Sequence, residues 1–223
     1  MKNIKALTLA FLLTLFGSSQ SLAEMGFTVG LTGSMVMIDA NGTETEAAEV
    51  TQANAKNKTG VGSIFVEYNE ILGSAFSLGV DYIPGSADVS SSVKQRADAN
   101  GEGDTGTNKA QAEIDGHTTI YGTYGFGNGG YIKVGYVEAD LNTLESLATG
   151  SKYANDTITG VEFGAGVEFD VYAGSIGRLE LTRIDYDDIE IRSSVARAGV
   201  AKNNLIEADL DVTRLSASLG YKF

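Results

Sequence analysis

Apolar side chains fall on every second position in eight separate stretches of this chain, and the 3.6-residue period of an amphipathic helix is nearly absent. The clearest run is 27–37, where Phe27, Val29, Leu31, Met35 and Met37 alternate with Thr28, Gly30, Thr32 and Ser34. In 157–169, Val161, Phe163, Ala165, Val167 and Phe169 alternate with Glu162, Gly164, Gly166 and Glu168. Further copies cover 60–69, 75–83, 117–126, 131–141 and 209–223. One more begins near 177, with Leu179 and Leu181 against Glu180 and Thr182. It blurs after Arg183 at Ile184, Tyr186 and Ile189, the mark of a bulge or a change of register. Successive side chains of a strand point to opposite faces, so each stretch reads as a strand with one apolar and one polar face. The connections alternate in length. They are short at 70–74, 127–130 and 170–176, and long and polar at 39–59, 84–116, 142–156 and 190–208. Long and short ends therefore lie at opposite edges of an antiparallel sheet.

The polar face decides what kind of sheet this is. It is built mainly of Gly, Ser, Thr and Ala, with a few charges of both signs: Glu67, Lys133, Glu162, Glu168, Glu180 and Arg214. A soluble sandwich or a lipocalin-like barrel would carry ample charge on its outer face. A small membrane barrel needs the pattern seen here, with short polar side chains inside and an apolar wall outside. Several stretches reach the roughly 9–11 residues a tilted strand needs to cross a bilayer. Closure also removes the edges an open sheet would expose. The expected fold is all-β, an eight-stranded antiparallel transmembrane up-and-down barrel with long extracellular loops and short periplasmic turns. Tyr68, Tyr82, Phe126, Tyr131, Phe169, Tyr221 and Phe223 lie near strand ends and predict aromatic girdles at the two interfaces.

Residues 1–23 carry Lys2 and Lys5, an apolar stretch from Ala6 to Phe16, and a small-x-small end at Ser21-Leu22-Ala23. This is the pattern of a cleaved secretory signal peptide, which leaves 24–223 as the barrel domain and places it in the outer membrane. Among the remaining residues acids outnumber bases even more than the overall net charge of −13 suggests, since two of the 16 Lys and Arg belong to the leader. Such a surface repels nucleic acid, whose binding requires cations against phosphate. With no Cys and one His, the chain holds no disulfide, cysteine zinc site or His-rich metal site, and no cofactor is expected.

At the C-terminus Leu215-Ser-Ala-Ser-Leu-Gly-Tyr-Lys-Phe223 resembles the terminal strand of bacterial outer-membrane barrels. The segment Arg178-Leu-Glu-Leu-Thr-Arg-Ile-Asp-Tyr186 resembles the penultimate strand of the small OmpA/OmpX-like, opacity-type "porin family". The resemblance implies that the periplasmic barrel-assembly machinery reads Leu215, Leu219, Tyr221 and Phe223. The family's name does not establish a pore, because side chains fill the interior of eight strands.

The remaining motifs have plain readings. Gly125-Phe-Gly-Asn-Gly-Gly130 matches G-x-G-x-x-G, but a strand pattern follows it where a dinucleotide site needs a helix, so it reads as a hairpin turn. His117 is followed by Thr118-Thr119, which departs from the H-x-S arrangement of one class of lipid-modifying barrel enzyme. Strand parity points it into the lumen, away from a lipid substrate, so it reads as a histidine at the mouth with no chemical role. Glu67, Glu162, Glu168 and Glu180 read as a lumen network with Lys133 and Arg214, because buried charges must be paired. The acidic groups Glu44, Glu46 and Glu49, then Asp98, Glu102 and Asp104, then Asp185, Asp187, Asp188 and Glu190 read as solvated loops; stretches 47–57 and 92–113 read as partly disordered tips. The expected role is structural or surface-interactive: envelope integrity, or adhesion through acidic loops, with outer-membrane lipid and lipopolysaccharide as surroundings and an unknown extracellular partner. A narrow porin-like channel for small solutes is the alternative, and a lipid-modifying enzyme a more remote one.

Overall fold

The structure, a computed structural model, describes residues 26–46, 49–71, 75–96, 106–146, 152–194 and 203–223. The leader segment 1–23 and the acidic group Asp98, Glu102 and Asp104 lie outside them. The described residues form strands β1 (Phe27–Glu46), β2 (Glu49–Tyr68), β3 (Phe76–Ile83), β4 (Ala87–Arg96), β5 (Gly106–Gly125), β6 (Gly130–Thr143), β7 (Asp156–Tyr172), β8 (Ser175–Tyr186), β9 (Ile189–Arg192) and β10 (Leu205–Lys222). Every pairing is antiparallel, and β10 returns to pair with β1 from Thr28↔Lys222 to Thr45↔Leu205, which closes the ring. β3 with β4 and β8 with β9 each make one interrupted stave, so ten strands build an eight-staved barrel. The first interruption falls at Pro84-Gly85-Ser86, where proline cannot donate to a ladder. The second falls at Asp187-Asp188, where the alternation in the sequence blurs.

The short turns lie on one side. Ala173 and Gly174, at φ 39° and 85°, join β7 to β8 in the left-handed conformation that a two-residue hairpin requires. The glycine-rich 125–130 segment is likewise a turn between β5 and β6, closed by Phe126 N–H donating to Gly130 O at 2.7 Å.

On the opposite side the strands run further than the sequence pattern predicts. Most of 39–59 belongs to β1 and β2, β4 and the start of β5 occupy much of 84–116, and β9 and the start of β10 take the ends of 190–208. Glu44, Glu46 and Glu49 are strand residues, as is the described part of the segments read as disordered tips. The reason is physical. Above the bilayer the outer face meets water while Val36, Ile38, Leu210 and Val212 turn hydrocarbon inward, so the ladder continues while the polarity of its faces first reverses and then fades.

The outer wall is apolar in a belt around the lower strands. Leu31 at 64% exposure, Leu219 at 60% and Phe163 at 57% point away from the barrel with Leu78, Ile132, Val134, Leu181 and Leu215. Water would not tolerate a continuous belt of this size, and lipid requires it. Aromatic pairs Phe27–Tyr68, Phe76–Tyr124, Tyr124–Phe126 and Tyr221–Phe223, with centroids 4.8–5.6 Å apart, ring the short-turn end. Tyr82 and Tyr136 mark the far side of the belt. Tyr131 is a correction to the predicted girdle. It shares the inward parity of Lys133 and is buried in the lumen.

Candidate functional site: the barrel interior

The inward face of each lower strand alternates small residues with a few large ones, and the large ones fit because glycines on neighbouring strands leave room. A Cβ on Gly30 would lie 2.4 Å from the Phe65 ring, one on Gly79 2.4 Å from Tyr121, and one on Gly166 2.5 Å from Tyr131. Between β1 and β10 the spacing is set by hydroxyl pairs, Thr32–Ser218 and Ser34–Ser216, each at 2.8 Å.

These rings and hydroxyls frame a column of charges. Nearest the short turns, the Arg178 guanidinium donates to both oxygens of Glu67 at 2.9 and 2.6 Å and to Glu168 at 2.8 Å. Lys222 reaches Glu168 at 2.5 Å. The Phe65 and Tyr131 rings flank the guanidinium at 5.3 and 5.6 Å, which suits a planar cation. One level up, Lys133 lies 2.7 Å from Glu162 and 3.1 Å from Glu180, with its ammonium 4.3 Å over the Tyr121 ring. The Tyr131 hydroxyl donates to Glu180 at 2.9 Å. Above that, Arg214 bridges Asp81 and Glu162, both at 3.2 Å, and Ser63 donates to Asp81 at 2.7 Å.

All six residues singled out for the lumen, Glu67, Lys133, Glu162, Glu168, Glu180 and Arg214, face inward and meet within this column. Three charged members were missed, Arg178, Asp81 and Lys222, the last on the face of Ser218 and Gly220 in β10. Arg178 shares the face of Glu180 and Thr182, and Asp81 the face of Ser77 and Gly79, so parity was the available signal. The column is nearly balanced, with Asp81, Glu67, Glu162, Glu168 and Glu180 against Lys133, Arg178, Arg214 and Lys222. The four residues of the terminal-strand motif are elsewhere: Leu215, Leu219 and Tyr221 face outward on β10, and Phe223 packs against Tyr221 at 5.0 Å.

Above Arg214 the interior changes character. Val36, Ile38, Ile114, Val137, Leu141, Ile158, Ile184, Leu210 and Val212 form a buried apolar core inside the extracellular half of the barrel. Within it lies a cavity of about 40 Å³, walled by Val36, Ile38, Val61, Ile83, Ile184 and Val212, with His117, Tyr186 and Arg214 also lining it. His117 is inside the barrel rather than at its mouth, with 6% of its surface exposed. Its ring meets Tyr186 edge-on at 6.5 Å, and neither ring nitrogen has a hydrogen-bond partner in the protein.

The wall beside this cavity is not fully laced. β2 pairs with β3 only from Ile64↔Tyr82 to Tyr68↔Leu78. Beyond that point β4 pairs with β5 alone, and the far edge of β2 has no ladder partner among the described residues. Asn57 Nδ2 donates to Asp88 O at 2.5 Å across the seam, and Val61, Ile83, Gly85 and Ala87 border it on the cavity side. Among the described residues no group of three or more His, Asp or Glu is placed to hold a metal ion.

No family model matches the chain, and no curated protein does. Solved structures do match in fold. The outer membrane protein OprG from Pseudomonas aeruginosa is similar at 13% identity and a TM-score of 0.55, over 89% of this chain and 96% of that one. The outer membrane protein AlkL, solved in DMPC lipid bilayers, is similar at 11% identity and a TM-score of 0.54, over 89% and 90%. The chain has the fold of a small bacterial outer-membrane β-barrel.

Proposed function

We propose that this chain works at the outer surface of a Gram-negative outer membrane as a barrel sealed to ions, whose extracellular half admits small apolar molecules. One observation carries the reading: an apolar cavity beside an unlaced seam, directly above a lumen crossed by ion pairs. An ion entering the column would have to displace charges that are already paired and desolvated. An apolar molecule meets no such barrier at the seam, where Val61, Ile83 and Ala87 present hydrocarbon just above the lipid-facing belt. This narrows the surface-interactive role and gives the small-solute alternative a route that avoids the charged column.

The same reading makes residues 1–23 a removed leader, engages the barrel-assembly machinery through Leu215, Leu219, Tyr221 and Phe223, and sets the acidic outer strands among lipopolysaccharide headgroups. It is a non-enzymatic role. A nucleophile needs an aligned base and an orienter, and His117, the single imidazole, bonds to neither a nucleophile nor an orienter among the described residues.

In planar bilayers the protein is expected to carry no ionic current, and cells bearing it to take up radiolabelled naphthalene faster than cells without it. Gly85 offers a clean probe, since a Cβ there meets nothing within 4 Å. Gly85→Trp, at the mouth, is expected to return uptake to background. Ohmic conductance, or uptake indifferent to Gly85→Trp, would defeat the proposal.

A further inference from the structure

An apolar cavity needs no polar lining, yet this one has two buried polar side chains with unused hydrogen-bonding capacity. His117 lines it with both nitrogens unpartnered in the protein, and Arg214, whose two terminal nitrogens bind Asp81 and Glu162, keeps an unpartnered Nε. Both residues are more than nine-tenths buried and their unpartnered nitrogens are covered, so an occupant meets them as the side chains turn toward it; leaving such donors unmatched is unfavourable. Thr119 Oγ1 and Thr182 Oγ1, on inward faces nearby, are also unpartnered. The walls above are hydrocarbon.

We infer that the cavity is a binding site for neutral oxygen-bearing apolar molecules, alcohols or ketones, whose oxygen bonds to His117 and Arg214 while the hydrocarbon chain leaves through the seam between β2 and β4. This rests on the proposed entry of small apolar molecules and names their chemistry. The head group is an acceptor, because Arg Nε–H donates only and an imidazole carries at least one N–H. It is neutral, because the surrounding charges already sum to a slight negative excess: Asp81, Glu162 and Glu180 against Lys133 and Arg214. A carboxylate would add to that excess in a desolvated site, and an ammonium would face Arg214. The volume fits a head group and its first carbons. A space of about 40 Å³ is about three times what one water needs, so a longer tail has to occupy the mouth beside Gly85.

The chain has a single histidine, so 15N-histidine labelling gives one imidazole and an unambiguous reporter. The protein in phosphatidylcholine nanodiscs is titrated with 1-hexanol, hexane and hexanoate, with binding of 13C-labelled probe measured in parallel. The expected result is saturable movement of the imidazole resonances by hexanol, weaker binding of hexane and none of hexanoate. His117→Phe should weaken hexanol about tenfold and leave hexane unchanged. Gly85→Trp should block both. If hexane and hexanol bind equally, or His117→Phe weakens both alike, the head-group assignment is overturned while apolar entry stands. Hexanoate binding as tightly as hexanol overturns the neutral head. If none of the three binds, the assignment and the entry reading fall together.

Discussion

The two halves of the lumen are filled by the same staves with opposite chemistry. In the membrane half, Glu67, Arg178, Lys133, Glu162, Asp81 and Arg214 form a column of paired charges. In the extracellular half, Val36, Ile38, Ile184, Leu210 and Val212 form an ordinary apolar core. The arrangement inverts the surroundings, since charge sits where lipid is outside and hydrocarbon sits where water is outside. Each half thereby keeps an inside unlike its outside, and that difference fixes which face of a strand points inward. A strand slipped by one residue would put Glu162 into lipid at one level and Ile158 into water at another.

The comparison breaks most readily in the charged half. Arg178→Met leaves Glu67 and Glu168 short of their shared cation, and removing one partner of a buried pair costs about 3–5 kcal/mol. Urea unfolding in lipid vesicles, followed by the loss of the fast-migrating band on unboiled gels, should register this. Adding Glu67→Gln should recover part of the loss, because the two residues act as a unit. If Arg178→Met is neutral, the column is solvated and the seal is illusory. In the apolar half, Ile184→Ala removes a side chain with 1% exposure from the cavity wall. The expected destabilisation is about 2–4 kcal/mol, and the same change should improve binding of bulkier apolar probes. A loss of stability without a gain in binding would mean that the core collapses into the space.

How far the chain could be read in advance follows from the same contrast. Lipid forces alternation, so all eight staves, the faces of β1 and β7, and the inward parity of Glu162 and Arg214 were legible. The upper parts of β1, β2 and β10 were not, because the inward parity that is polar in the membrane turns apolar above it, at Val36 and Ile38 and at Val212 and Leu210, and breaks the single alternation along the strand. Tyr131 was misplaced by its position near a strand end, although its parity with Lys133 points inward. That Arg178 chooses Glu67, 111 residues away, depends on the stagger of the closed ring, which no local pattern records. The cavity borders the stretch where β2 and β4 share no ladder. Pro84 is its one local sign, and a proline at a strand end usually means no more than a turn.

Packing between the inward rings gives a smaller effect that sharpens the lower half further. Gly79→Ala drives a methyl group against Tyr121, whose ring also carries Lys133. Overpacking of this kind costs about 1–3 kcal/mol. If space rather than backbone freedom is what Gly79 provides, Tyr121→Leu should relieve most of the loss.

The smallest effect is expected at the border between the halves. His117 is buried, but its nitrogens have no protein partner, so His117→Phe removes no hydrogen bond and trades a desolvated polar ring for an apolar one of similar shape. Such exchanges are close to neutral, and stability should move by less than about 1 kcal/mol, beside several for Arg178→Met. The ratio of the two losses, measured in the same vesicles, tests whether the charged column ends at Arg214. A His117→Phe loss as large as that of Arg178→Met would show His117 bound into the charged column, and the column would then reach one level higher than Arg214. A near-neutral result places the end of the column at Arg214 and leaves His117 as the first residue of the apolar chamber.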